Sequence, residues 1–142
     1  QDPTRDINVY INSGGGDVYA GRAIFDTIKH VKNQVSTINV GLSASAAALI
    51  LSAGTKGKRF ALPGSFTMIH QVLVSGVDGQ ATDIDITARH MLKLRHDYAE
   101  MIAESTGQDL KKVLTDIERD NWMSAVEAKK YGIIDKIMKP KK

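Results

Sequence analysis

The sequence predicts an α/β fold built from repeated strand–helix units. Residues 6–12 alternate polar and apolar side chains and are rich in β-branched residues, as expected of a strand. Apolar residues then recur at helical spacing from Ala20 to Val31, and a second strand-like run covers residues 35–40. A strand, a loop, an amphipathic helix and another strand make a βαβ unit, whose two strands should be parallel and joined by a right-handed crossover.

Composition argues against several classes of function. The 142 residues are 42% hydrophobic and 25% charged, which is typical of one globular domain with its own core. No apolar run approaches the ~20 residues that a membrane-spanning helix needs. The net charge of +3 is mild and aromatic residues are few, so we expect no nucleic-acid partner. Cysteine is absent and no histidines have the spacing of a helical zinc pair, so we expect neither thiolate catalysis nor a metal.

The first strand runs into a glycine loop, Ser13-Gly14-Gly15-Gly16. Such a loop can turn successive N–H groups into an anion-binding nest, or it can simply be a turn with room for close packing. It matches neither the P-loop, because no Gly-Lys-Ser/Thr follows, nor a proper GxGxxG pattern. In a parallel βαβ unit this loop and the end of the second strand open on the same edge of the sheet, where ligands collect.

The second strand leads into a corner at Gly41–Ser45, followed by a small-residue helix predicted from Ala44 to Ala53 and capped by Gly54. A serine at a strand-to-helix corner lies beside the first free amides of the helix, which carry partial positive charge. Ser45 is therefore a candidate nucleophile with an adjacent oxyanion site. The alternative is that the corner serves only close helix packing.

The middle of the chain predicts two short strands, residues 59–62 and 66–69, with His70 at the end of the second. A histidine in this position is either structural or catalytic. Residues 71–80 predict a loop or irregular hairpin with strand-like character, able to pair with an extended peptide or a partner chain. A helical pattern over 81–106 would give a rod of roughly 39 Å, which either projects toward another subunit or lies across its own core.

The last third predicts short elements. A helix is expected near 110–117, a second from Ala125 to Tyr131 with the capping-box pair Ser124 and Glu127, and a strand at 133–137. Asp120 lies between the two predicted helices. Taken on its own, we interpret it only as a surface charge or a helix cap.

Six blocks of this sequence recur together, in the same order, in one known family. They are residues 10–16, 44–45, 53–59, 68–71 and 79–84, and the run 118–128 at Glu118-Arg119-Asp120, Ser124-Ala125 and Glu127-Ala128. Together the blocks extend over essentially the whole chain, and they resemble the proteolytic subunits of the Clp protease, the ClpP family.

The resemblance implies a crotonase-like α/β fold of repeated β/α units, with a protruding handle at about 71–106 made of one long helix and a strand. It implies one peptidase domain over residues 1–142, with the family's N-terminal portion missing. By position, Ser45 is the implied nucleophile of a serine endopeptidase. His70 is the implied general base, and Asp120 the acid that orients it.

Further residues take implied roles from the same resemblance. The oxyanion donors match the backbone N–H groups of Gly16 and Ala46. Glu118, Arg119 and Gln80 match positions of contact between rings. The resemblance implies two stacked heptameric rings, homomeric or mixed, that enclose a chamber. An AAA+ Clp ATPase would deliver unfolded proteins, so ATP is used by the partner and this chain needs no cofactor. The implied location is a bacterial cytoplasm or an organelle matrix.

The sequence departs from the family pattern around both glycine loop and serine. Gly14 stands where the family has proline, Ala46 and Ala47 replace Met-Gly after the serine, and Val72 replaces proline after His-Gln. We expect a looser loop and an altered handle strand. These departures motivate an alternative function, a structural ring subunit with weak or no activity beside an active paralogue. A crotonase-type acyl-CoA enzyme is a further alternative, because that fold also holds a thioester oxyanion with paired amides.

Overall fold

The chain forms a sheet of six strands with five helices in a computed structural model, which describes residue 2 and residues 4–139. This arrangement confirms the predicted α/β fold class. The ends of the predicted 1–142 domain, residues 1, 3 and 140–142, lie outside the described residues. The strands are β1 (Ile7–Ser13), β2 (Val35–Ala44), β3 (Arg59–Ala61), β4 (Phe66–Ile69), β5 (Asn121–Ser124) and β6 (Lys136–Ile137). The helices are α1 (Val18–His30), α2 (Ala46–Ser52), α3 (Ala81–Thr106), α4 (Leu110–Asp116) and α5 (Ala125–Tyr131).

The long strand β2 is the centre of the sheet. β1 pairs with it in parallel along one edge, as the βαβ prediction requires. β3 and β4 both pair in parallel with the other edge, β3 beside residues 37–39 and β4 beside residues 42–44. β6 extends the sheet beyond β3, and β5 pairs antiparallel with β4. Consequently the ends of β1, β2 and β4 lie side by side, and each is followed by one of the predicted site segments.

Helix α1 covers the sheet beside the serine corner. The Asp17 carboxylate caps it by accepting from the Ala20 amide at 2.8 Å, which satisfies one free N–H of the first turn. Its buried residues, Gly21 and Phe25, face the core. A Cβ on Gly21 would lie 2.8 Å from the Ala46 Cβ, so only glycine lets α1 approach the start of α2 this closely.

Helix α3 has the predicted bounds, and its two halves differ in burial. Residues 81–93 are exposed or half-buried, whereas Leu94, Tyr98, Ala99 and Ile102 are buried in the core. Gly107, in the left-handed conformation at φ 77°, ends the helix. The first half therefore projects from the core and the second half packs on it. No described helix has the length and hydropathy needed to span a membrane.

The predicted strand of the handle is not formed within this chain. Residues 71–80 have no regular secondary structure, and residues 73–80 are exposed. A strand needs a neighbouring strand to satisfy its backbone groups, and no described strand of the chain lies beside this segment.

Several predicted boundaries were wrong for identifiable reasons. β2 continues through the corner to Ala44, because residues 42–44 pair with β4. α2 starts only at Ala46 and ends at Ser52, with Ala53 as its C-cap residue. Gly54 is therefore not its cap; a Cβ on Gly54 would lie 2.4 Å from the Thr37 hydroxyl, and close packing explains this glycine. The final strand is shortened to Lys136–Ile137, because only these residues pair with β3 and the Ile133 amide instead donates to the Ala128 carbonyl at the end of α5. The capping box of Ser124 and Glu127 is confirmed.

Candidate active site

Ser45 sits at the junction of β2 and α2 in an unusual backbone conformation. Its φ of 57° and ψ of −122° make it the only described non-glycine residue with positive φ. Such a conformation costs on the order of 1–3 kcal/mol and persists only where the surroundings enforce it. The Ser45 amide donates to the carbonyl of Met68 in β4 at 2.8 Å, which fixes one side of the corner. Strained strand-to-helix turns of this type expose a serine hydroxyl for nucleophilic attack.

The glycine loop packs directly against this corner. Gly15 has φ of +93°, and a Cβ on it would lie 2.7 Å from the Ala44 carbonyl oxygen and 2.8 Å from the Ser45 Cβ. The Ser13 hydroxyl accepts from the Gly15 amide at 3.1 Å and helps to hold the turn. The loop therefore needs glycine at this position, both for its conformation and for its contact with the candidate nucleophile.

His70 follows β4 and lies between Ser45 and Asp120. Its Nε2 is 2.9 Å from the Ser45 hydroxyl oxygen, and its Nδ1 is 3.1 Å from an Asp120 carboxylate oxygen. The carboxylate can accept only from a protonated Nδ1, which leaves Nε2 of the neutral ring free to accept the serine proton. The His70 side chain is 14% exposed and that of Asp120 is 58% exposed, so water reaches the acid but little of the imidazole.

Strand pairing brings Asp120 to this position. β5 begins immediately after Asp120, and its antiparallel register sets Asn121 opposite Ile69, one residue before His70. The segment before Asp120 is tied to the residue after His70: the Gln71 amide donates to the Ile117 carbonyl at 2.7 Å, and its side chain donates to the Glu118 carbonyl at 3.1 Å. The sheet thus places the acid beside the histidine.

The two predicted oxyanion donors lie on the same cavity as the serine. Ala46 is the first residue of α2, where helix geometry leaves the N–H without a partner in the helix. Within the described residues, neither the Gly16 nor the Ala46 amide donates to a protein acceptor. A donor pair without internal partners is suited to an anion that develops beside Ser45.

The cavity has a volume of about 460 Å³ and opens over Ser45 and His70. Its remaining walls are mainly apolar and come from α1, α2, β4, the segment after His70 and α3. They include Val18, Leu49, Met68, Val72, Leu94 and Tyr98. An apolar pocket beside a nucleophile suits an apolar side chain of the substrate.

The residues predicted to contact another ring lie near or on the surface. The Glu118 carboxylate pairs with Arg95 of α3 at 2.7 Å, a contact within the chain that sequence reasoning did not anticipate. Arg119 is exposed. Gln80 is also exposed and precedes α3, its carbonyl accepting from the Asp83 and Ile84 amides. Their role between rings stays a prediction.

One group of possible metal ligands lies on α3, on residues that do not line the active-site cavity. Ligand atoms of His96, Asp97 and Glu100 are all within 4.8 Å of one another. Asp97 already pairs with Arg22 at 2.7 Å, which reduces the capacity of the group to hold a cation. The expectation that the chain uses no metal therefore stays a prediction.

Sequence reasoning missed two residues at the site. Gly15, to which the sequence analysis gave no role of its own, makes a close contact with Ser45. The Tyr98 hydroxyl donates to the Ser45 carbonyl at 3.2 Å, although the sequence placed Tyr98 only within the helical pattern predicted over residues 81–106. No periodicity could reveal that hydroxyl, because its partner lies 53 residues away.

Comparison with known families agrees with this geometry. The model of the Clp protease family, described as "Clp protease", matches residues 1–141. The match spans nearly the entire chain, so the chain belongs to the Clp protease family and is by that membership a peptidase, a hydrolase of peptide bonds.

Proposed function

We propose that this member of the Clp protease family is a serine endopeptidase in which Ser45 is the nucleophile. The observation that carries the proposal is the pair of distances at His70, 2.9 Å to the Ser45 hydroxyl and 3.1 Å to Asp120. His70 accepts the hydroxyl proton as Ser45 attacks the peptide carbonyl, and then donates it to the leaving amine. Water then attacks the acyl-enzyme, with His70 again accepting and returning the proton. Asp120 holds the imidazole in the required tautomer throughout.

Charge stabilisation completes the mechanism. When Ser45 attacks, the carbonyl oxygen of the substrate becomes an oxyanion that must be met by preorganised donors. The Ala46 N–H at the start of α2 and the Gly16 N–H of the glycine loop take this role in the proposal. Both residues border the cavity that holds the Ser45 hydroxyl, and neither amide has a competing acceptor among the described residues.

We further propose that the chain works as a subunit of two stacked heptameric rings, fed with unfolded protein by an AAA+ Clp ATPase. The exposed half of α3 and the segment before it support an intersubunit role, since they carry exposed apolar side chains. These are Leu73, Val74, Val77, Ile84, Ile86 and Leu92. ATP would be used by the ATPase, in the cytoplasm or an organelle matrix, and this chain would need no cofactor.

The alternatives differ in what they require of Ser45. A structural subunit without activity would follow from a loop loosened at Gly14 or from a corner disturbed at Ala46 and Ala47. In the described structure Ala46 and Ala47 are both buried, and the Ser45 hydroxyl lies within hydrogen-bonding distance of His70. These observations favour an undisturbed corner. No described contact favours an acyl-CoA substrate, so that alternative enters only as an outcome of the experiment.

The test compares wild type, Ser45→Ala and Ser43→Ala in short-peptide cleavage, with particle mass measured in parallel. Ser43 is a matched control, because its hydroxyl is buried two residues earlier in β2 and has no partner among the described residues. We expect Ser45→Ala to abolish cleavage at unchanged particle mass and Ser43→Ala to retain it. An assembled wild type that cleaves no peptide would support the structural subunit, and acyl-CoA binding without cleavage would support the crotonase-type enzyme. Loss of assembly in Ser45→Ala would mean that Ser45 is a packing residue.

A further inference from the structure

Tyr98 connects the long helix to the backbone of the candidate nucleophile. It lies in the buried half of α3 and its side chain is only 5% exposed. Its hydroxyl donates to the Ser45 carbonyl oxygen at 3.2 Å. The tyrosine ring also forms part of the wall of the active-site cavity. Tyr98 therefore contacts the site through the Ser45 carbonyl, and no described hydrogen bond joins it to the His70 imidazole.

The carbonyl that Tyr98 holds belongs to the same peptide unit as the Ala46 N–H. A trans peptide is planar, and its C=O and N–H point in opposite directions within that plane. Rotation about ψ of Ser45 turns both groups together. A contact that fixes the direction of the Ser45 carbonyl therefore also fixes the direction of the Ala46 N–H, the proposed oxyanion donor.

We propose that Tyr98 is a positioning residue that aims the Ala46 N–H at the oxyanion by holding the Ser45 carbonyl. The inference rests on the proposed function, since it concerns the oxyanion of the same reaction. It assigns Tyr98 an effect on the transition state, with little effect on binding of the substrate in its ground state.

The Ser45 carbonyl has three donors among the described residues, and Tyr98 is the one outside α2. Within α2 the Ser45 carbonyl accepts from the Ala48 amide at 3.0 Å and from the Leu49 amide at 3.3 Å. Both donors belong to α2, the seven-residue helix that Ala46 itself begins. The Ser45 amide is fixed by Met68, but that bond involves the preceding peptide unit. Tyr98 thus provides the contact from outside α2 to the peptide that carries the donor.

The hydroxyl remains a donor under all ordinary assay conditions. Burial raises the pKa of Tyr98 above its usual value, since the buried site disfavours the phenolate. Titration of Tyr98 therefore contributes nothing to the pH dependence of cleavage near neutrality.

The test is Tyr98→Phe, which removes the hydroxyl and keeps the ring in the cavity wall. We expect kcat for a short peptide to fall roughly two- to tenfold, as for loss of one hydrogen bond, with KM and the pH profile of kcat/KM unchanged. Affinity for a peptide boronic acid, whose tetrahedral adduct on Ser45 places an oxygen at the oxyanion site, should fall by a similar factor. Affinity for the cleaved product peptide should not change.

Tyr131→Phe is the matched control. Its hydroxyl donates to Asp116 at 2.8 Å, and Tyr131 does not line the active-site cavity, so kcat should stay at the wild-type value. Turnover is expressed per Ser45 titrated by a covalent probe, which removes unfolded protein from the comparison. An unchanged kcat in Tyr98→Phe, or a raised KM at constant kcat, would overturn the inference alone. A wild type that cleaves no peptide would overturn the proposed function and this inference with it.

Discussion

Substitution of Gly15 by alanine tests whether the glycine loop is part of the catalytic corner. The added Cβ would lie 2.7 Å from the Ala44 carbonyl oxygen, 2.8 Å from the Ser45 Cβ and 3.0 Å from the Ala46 nitrogen. Ordinary contacts begin at 3.4 Å, so the alanine and Ser45 must separate by about 0.6 Å. The substitution therefore acts on the nucleophile and on the proposed oxyanion donor at once.

Two effects determine the expected loss of stability. Alanine in a left-handed conformation costs about 1–2 kcal/mol, and Gly15 has φ of +93°. Overpacking against backbone atoms costs typically 1–3 kcal/mol more. The free energy of unfolding should therefore fall by about 2–5 kcal/mol. A misplacement approaching 1 Å at reacting groups can cost on the order of 10²-fold in rate, so we expect kcat to fall at least tenfold.

The assay pairs urea unfolding with peptide cleavage per titrated Ser45. Gly14→Ala is the control, because a Cβ on Gly14 meets no atom within 4 Å and Gly14 does not have positive φ. Its stability should stay within about 1 kcal/mol of wild type. If Gly15→Ala matched Gly14→Ala in both stability and kcat, the close contact between loop and corner would be refuted.

Two further substitutions test the acid of the site and a partly buried ion pair. Asp120→Asn should lower kcat by roughly 10²- to 10⁴-fold in steady-state peptide cleavage, because Asn cannot hold the His70 tautomer; an unchanged kcat would remove Asp120 from the mechanism. Burial raises the pKa of Asp135, but hydrogen bonds and the charge of Arg59 outweigh this and hold the pKa below the ordinary value of an aspartate. Asp135 thus stabilises the fold fully above the ordinary aspartate pKa and loses this effect as the pH falls through its folded pKa. The Asp135→Asn variant should be less stable than wild type at pH 7. In urea unfolding measured from pH 5 to pH 2, it should lose less stability than wild type as the pH falls. Parallel curves of unfolding free energy against pH for the two proteins would contradict this.

Local sequence patterns predicted the elements that local physics determines. The helix over 81–106 and the capping box of Ser124 depend on neighbours within a few residues, and both are confirmed. The parallel pairing of β1 and β2 followed from the βαβ pattern and is also confirmed. For the helix and the capping box, the sequence contains the physical cause of the structure within a short window.

Features fixed by distant contacts could not be predicted in this way. β5 has only four residues and no clear alternation, and it becomes a strand because β4 offers an edge to pair with. Gly54 looked like a helix cap, but its role depends on Thr37, a residue of β2. The bond from Tyr98 to Ser45 likewise crosses 53 residues of sequence. Tertiary contacts determine each of these three features, and the periodicity of a single sequence does not reveal such contacts.

The central claim is that His70 activates Ser45 as a nucleophile. Its most direct test is the rate and position of covalent labelling by a fluorophosphonate, mapped by peptide mass spectrometry in wild type and His70→Ala. We predict that the wild type is labelled at Ser45 and at no other serine, and that labelling slows by orders of magnitude without the imidazole. An assembled wild type that is not labelled at Ser45, or one labelled equally fast with and without His70, would contradict the claim.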